Sequence, residues 1–169
     1  MPAENPVDDP VSRDPVSFVR AGRPLSANKT KGKIGEKIAA DLKGLYRAAG
    51  GGHWNGFRYG VVYYFVRDYK PHNDSDADNV SKPIWDALEG EAYDDDKVVR
   101  LRRAGVIEIG ASNGAPSLDV IDVTEMPAAA SDRFFLLLEQ EERHIVYVEL
   151  GAVTPNMFTF NLANRQGSA

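Results

Sequence analysis

The sequence predicts an α+β fold, a single compact domain in which a mixed β-sheet carries two main helices, followed by a C-terminal extension. Three observations lead there. A chain of 169 residues suits one domain with some length left for tails. Residues 57–66 (FRYGVVYYFV) are aromatic and β-branched, and residues 98–109 alternate as a strand with one wet face does. Ile34, Ile38, Leu42 and Leu45 recur three or four apart, as along one face of a helix.

Taken in order, residues 1–15 are rich in Pro and Asp without any apolar period, and read as a disordered acidic tail. Residues 16–19 (VSFV) form a short strand that runs into a turn-rich loop over 22–28. The helix over 33–49 is stopped by Gly50, Gly51 and Gly52. After the strand over 57–66 comes a polar loop, 67–76, and a second helix that reaches Leu88 and ends near Gly90. Asp78 is placed to cap that helix. Pro83, comfortable only in a first turn, allows its regular part to begin as late as Ser81. Residues 118–123 read as the hairpin partner of the strand over 98–109, with Asn113-Gly114 in the connection. Residues 128–143 suit a helix capped by Ser131 and residues 144–150 a strand, while the end from Asn164 looks frayed. These boundaries give a tail over 1–15, a domain over 16–126 and an extension over 127–169.

Composition removes several function classes. There is no cysteine, so disulfide frameworks, thiol catalysis and Cys-based zinc sites are excluded together. The start carries no basic-then-apolar signal pattern, and no apolar run approaches about 18 residues. The expectation is a soluble cytoplasmic protein that does not enter a membrane. The formal charge of −5 hides an uneven distribution. Arg20, Arg23, Lys29, Lys31, Lys33, Lys37, Lys43 and Arg47 are opposed in their stretch only by Glu36 and Asp41. Residues 74–96 are crowded with aspartates, and Arg100, Arg102 and Arg103 follow at once.

The chemistry lies in that acidic segment. Asp74, Asp76 and Asp78 precede Lys82 and Asp86, and Asp94, Asp95 and Asp96 follow. Carboxylates packed so closely repel one another unless a cation resolves the conflict, and oxygen-only ligands favour Mg²⁺, Mn²⁺ or Ca²⁺ over zinc. Asp76 and Asp78 would share one side of an extended backbone, and Lys82 lies one helical turn beyond Asp78. An EF-hand is the specific rival, with Asp74, Asp76 and Asp78 at its first, third and fifth positions. It fails at the required glycine, which is Asn79, and at the twelfth ligand, which is Trp85. His53, His72 and His144 have no metal-ligand spacing, and the three glycines lack the Lys-Ser or Lys-Thr of a P-loop.

Asp76-x-Asp78-Asn79-x-x-Lys82, then Asp86-Ala87-Leu88, then Asp94-Asp95-x-x-Val98 resembles the core signature of the RusA-type Holliday junction resolvases. Gly22-x-Pro24-x-Ser26-x-Asn28 is similar to that family's N-terminal loop, so the resemblance runs from about residue 18 to 126. It implies a RusA-like fold and a homodimeric endonuclease, dependent on Mg²⁺ with Mn²⁺ as a substitute, that cuts opposed strands of a four-way junction in DNA recombination and repair. It also implies Asp76, Asp78 and Asp95 as catalytic, metal-holding carboxylates, Lys82 as the essential lysine, and Asp94 as a further metal ligand. The connection from Asp86-Ala87-Leu88 to Asp94-Asp95 is about two residues shorter than the family's, so Asp96 competes with its neighbours. Arg20, Arg23, Lys29, Lys31, Lys33, Arg100, Arg102 and Arg103 are then candidates for DNA-backbone contacts. Two other readings stay open: a module that binds branched DNA without cutting it, and a nuclease for flaps or forks.

Overall fold

The computed structural model describes residues 14–25, 32–110, 126–154 and 157. Most of the expected tail, the loop over 26–28, Lys29, Lys31, the expected hairpin partner over 118–123 and the end from Asn164 lie outside them. The described elements are β1 (Val16–Ala21), α1 (Lys33–Ala48), β2 (Arg58–Arg67), α2 (Ala77–Leu88), a single 3₁₀ turn (Asp96–Val98), β3 (Val99–Ile109), α3 (Ala128–Glu139) and β4 (His144–Ala152).

The sheet order is β1-β4-β2-β3. β4 runs antiparallel to both β1 and β2, while β2 and β3 are parallel, so the sheet is mixed as expected. β2, α2 and β3 therefore form a βαβ crossover, because parallel neighbours need a long connection and a helix supplies it. The strand at the end of the described chain lies inside the sheet. Ile145, Val146, Tyr147 and Val148 are all buried, so β4 is apolar on both faces and belongs between two partners. The segment expected as an extension thus supplies an interior strand and a third helix.

Alternation along the strands divides the core into two. Val62, Tyr64 and Val66 of β2, with Val146, Val148 and Leu150 of β4, pack against Leu42 and Tyr46 of α1 and Ile84, Trp85 and Leu88 of α2. On the other face Val19, Phe65, Ile145 and Tyr147 meet Ala130, Phe134 and Leu137 of α3. The Trp85 ring approaches so closely that a Cβ on Gly60 would lie 2.5 Å from it, which is why β2 has glycine there.

Some local details differ from the sequence reading. Ile34 is 78% exposed, although it continues the apolar spacing of α1; the buried face runs instead through Leu42 and Tyr46. α2 is capped by Asp76, whose side chain accepts a hydrogen bond from Asn79 N at 2.9 Å. Asp78 therefore lies inside the first turn, and Pro83 is tolerated mid-helix with its ring buried. α3 is preceded by Pro127, with Ser131 inside the helix. It ends at Glu139, and Glu141 turns the chain at φ 55° into β4.

Candidate active site

The βαβ crossover sets out the acidic residues along one helix. Asp78, Lys82 and Asp86 are spaced by four and so share a face of α2. Lys82 does not pair with Asp78. Its Nζ lies 2.8 Å from Asp86 Oδ1 and 3.7 Å from Asp96 Oδ2. Asp96 in turn accepts from Arg102 Nη2 at 2.9 Å, and its backbone N donates to Glu89 Oε1 at 3.0 Å. The hydrogen bond to Asp86 raises the Lys82 pKa above the ordinary lysine value; burial opposes this, and the charges of Asp86 and Asp96 reinforce it. Lys82 is accordingly an ammonium at neutral pH, a donor and a positive charge but not a base.

Among the described residues, Asp86, Glu89 and Asp96 bring carboxylate oxygens within 4.8 Å of one another, whereas Asp76, Asp78 and Asp95 do not form such a group. Asp76 and Asp78 lie exposed at the start of α2, and Asp78 enters no hydrogen bond or ion pair among the described residues. Asp95 stands beyond the far end of that helix. Its side chain accepts from Lys97 N at 2.9 Å and pairs with Lys97 Nζ at 3.0 Å. The backbone bond from Lys97, then its side chain, then the Lys82 charge hold the Asp95 carboxyl below the usual carboxylate range. Asp94 points elsewhere, pairing with His53 Nε2 at 3.0 Å and accepting from Asn55 Nδ2 at 2.6 Å. The group formed by Asp86, Glu89 and Asp96 offers a cation carboxylate oxygens only, and all three are at least partly open to solvent. Such a set fits a hard divalent cation and does not fit a soft one.

Asp74 belongs to the scaffold. Its side chain is fully buried, and it accepts from Arg23 Nη2 at 3.3 Å, Arg143 Nη2 at 3.0 Å and Lys70 N at 2.8 Å. The ends of β1 and β4 are thereby tied to the loop that leads into Asp76. Arg143 also meets His144 Nε2 at 3.1 Å. A guanidinium only donates, so Nε2 accepts and the ring proton sits on Nδ1, from where it donates to the Tyr64 hydroxyl at 2.7 Å. Burial, then the Arg143 and Arg23 charges, push the His144 pKa down.

The expected DNA-contact residues separate. Arg20 is folded inward, bonded to Asp41 at 2.7 Å and to the carbonyl of Arg23 at 3.0 Å. Arg23 is partly engaged by Asp74, and Lys33 borders a groove of about 570 Å³ with Ile34, Lys37 and Ile38. Arg102 bonds Asp96, while Arg103 lines a cavity of about 520 Å³ with Tyr59 and Glu149. His72 and Asp76 share another, of about 380 Å³, with Arg23 and Tyr69.

Arg58 was not among the expected site residues. It is buried, and its guanidinium donates to the carbonyls of Trp54, Gly52 and Ala92 at 3.1, 3.3 and 3.0 Å. It holds the loop before β2 against the turn that carries Asp94. A lone arginine at the start of an otherwise apolar strand was the available signal.

Exposed carboxylates along a helix, a protonated lysine among them and arginines on the adjoining strand are groups that can hold a divalent cation and meet a phosphate. Residues 59–110, which run from β2 through α2 to the end of β3, match the family Endodeoxyribonuclease RusA. The matched segment covers under a third of the chain and is what this chain shares with that family. No significant match is found among curated proteins or among solved structures. Among the described residues no helix is long and apolar enough to cross a membrane.

Proposed function

We propose that the protein is a Mg²⁺-dependent endodeoxyribonuclease that resolves four-way DNA junctions by paired incision, acting as a homodimer. The observation that carries the reading is Lys82, held as an ammonium between Asp86 and Asp96 inside the segment that matches the RusA family. Asp76, Asp78 and Asp95 would hold the metal, with Mn²⁺ as a substitute and Asp94 as a weaker further ligand; Asp96 competes with Asp95 by its place beside Lys82. Bound there, such an ion supplies an activated water and offsets charge growing on the phosphate.

The chain's own residues divide the remaining work. Lys82 is a fixed positive charge that can face a non-bridging phosphate oxygen and stabilise it as negative charge grows. Asp95, ionised well below neutral pH, is ready to ligate without first losing a proton. Asp76 orders the start of α2, and so fixes where Asp78 stands. Arg23, Lys33, Arg100, Arg102 and Arg103, with Lys29 and Lys31 from the basic stretch, are the proposed contacts to the DNA backbone, while Arg20 would have to leave Asp41 to join them. Two sites across a two-fold axis would set the paired cuts.

The test is cleavage of end-labelled four-way junction, flap, fork and linear duplex in Mg²⁺ and in Mn²⁺ by wild type, Asp78→Asn and Lys82→Ala. Symmetric nicking of the junction that both substitutions abolish is expected. Binding of branched DNA without cutting would replace the reading by that of a binding module, and preferred cutting of flaps or forks would replace the substrate.

A further inference from the structure

The loop before β2, which is bonded to the turn that carries Asp94, presents an aromatic ring to solvent. Phe57 is 61% exposed, whereas Tyr64 and Phe65 of the strand that follows it are fully buried. A lone exposed ring is ordinary, but the loop that carries this one is tied down at several points. The Phe57 carbonyl accepts from Val153 N at 3.0 Å, beyond the end of β4. In the same loop the Trp54 ring lies over Gly56, where a Cβ would sit 1.9 Å from it, and the buried Arg58 guanidinium stacks on Trp54 at 5.0 Å. Asn55 and His53 clamp Asp94, the residue before Asp95.

The fourth feature is a β-bulge. Arg58 is opposite Val99 but Tyr59 is opposite Leu101, so Arg100 is the extra residue of β3. Bulges re-aim a side chain, and this one carries the Arg100 guanidinium to 4.8 Å over the Phe57 ring.

We infer that Phe57 and Arg100 form a stacking platform that takes an unpaired nucleobase of branched DNA next to the candidate cleavage site. The inference rests on the proposed DNA-cleaving reading and adds a determinant of substrate choice. A base in continuous duplex has both faces covered by its neighbours. A base at a branch point or in a single strand offers a free π-face, and aromatic rings accept any such face irrespective of sequence. The ring supplies the apolar surface and Arg100 a charge for the neighbouring phosphate. The ties through Asn55 and Asp94 fix the distance from the bound base to Asp95. Phe57 lies just before residues 59–110 and Arg100 within them, so the platform joins the matched segment to the loop that precedes it.

The experiment measures binding by fluorescence anisotropy in EDTA, where no cleavage intervenes, using a labelled four-way junction, an oligo(dT) strand and a blunt linear duplex. Phe57→Ala and Phe57→Leu should each weaken junction and oligo(dT) binding about ten-fold, the size of one lost base stack. Duplex binding and the thermal midpoint should stay as in wild type, and Phe57→Trp should restore affinity. Equal losses on all three DNAs, unchanged affinity in Phe57→Ala, or no branched-DNA binding by wild type would each overturn the platform. The two readings fail separately. A protein that cuts junctions but ignores Phe57→Ala removes the platform alone, and one that cuts nothing yet shows the selective loss removes the nuclease alone.

Discussion

Replacing Asp74 by alanine should destabilise the protein by about 2–3 kcal/mol. The carboxylate is fully buried and accepts from two arginines and from one backbone amide, Lys70 N. Hydrogen bonds to a charged group are worth about 1.5–3 kcal/mol each, and removing one partner of a buried ion pair costs about 3–5 kcal/mol. The lower figure applies because Arg23 and Arg143 keep 45% and 35% of their side-chain surface exposed and can rehydrate. Lys70 N–H loses its side-chain acceptor outright. At about 2–4 °C per kcal/mol for a chain of this size, the thermal midpoint should fall by about 4–12 °C. Asp74→Asn can keep one oxygen on Lys70 N and Arg143 while turning its NH₂ towards the longer, half-exposed Arg23 contact, so about 1 kcal/mol is expected. Thermal and urea unfolding of the three proteins measure this. If the alanine variant melts within about 1 °C of wild type, the ties among β1, β4 and the loop before α2 contribute nothing, and the reasoning is refuted.

Three further outcomes follow from the same geometry. Asp76→Ala should lose about 1 kcal/mol with the helix cap, whereas Asp76→Ser keeps the cap and the melting point but should abolish cleavage, separating the two roles of that carboxylate in one pair of melts and one nicking assay. Gly60→Ala drives a methyl into the Trp85 ring and should cost about 2 kcal/mol by urea unfolding, and a neutral result would mean that the ring can move aside. For His144 the folded pKa lies below the ordinary 6.5, so its neutral form contributes stability that is complete above 6.5 and is lost as pH falls towards the folded value. The wild-type midpoint should therefore drop more than that of His144→Gln between about pH 7.5 and about pH 5; parallel curves would contradict the assigned tautomer.

Much of the fold could be read from pattern because burial imposes pattern. β2 is an apolar, aromatic run between two arginines with one face buried throughout, and the elements over 128–139 and 144–152 sit close to where their spacing puts them. What pattern could not give is which strands meet. Nothing in His144-Ile145-Val146-Tyr147-Val148 says that it lies between β1 and β2, since adjacency in a sheet is decided by long-range packing. Helix starts failed for a local reason. Asp76 and Asp78 are equally good caps, and only the turn made by the Asp74 cluster selects the first. The site was legible as residue types but not as pairings. Lys82 looks back to Asp78 and forward to Asp86 at equal spacing, and Asp96 from the following turn draws it forward. The basic run over 100–103 separates because strand geometry and one bulge send Arg100 to Phe57, Arg102 to Asp96 and Arg103 towards Glu149. Arg58 was lost inside an apolar run because its partners are main-chain carbonyls, which carry no sequence signal.

The interior place of β4 bears on how the protein is made. During synthesis the chain emerges from its N-terminal end, and β2, α2 and β3 can pair as soon as residue 109 is free. β1, by contrast, has no strand beside it among the described residues except β4. β1 must therefore wait for its strand partner until residues 144–152 arrive between it and β2. Closure of the sheet, and the ordering through Arg143 and Asp74 of the loop that leads to Asp76, come only once residues 143–152 have emerged. Until then a nascent chain would hold its acidic cluster loosely.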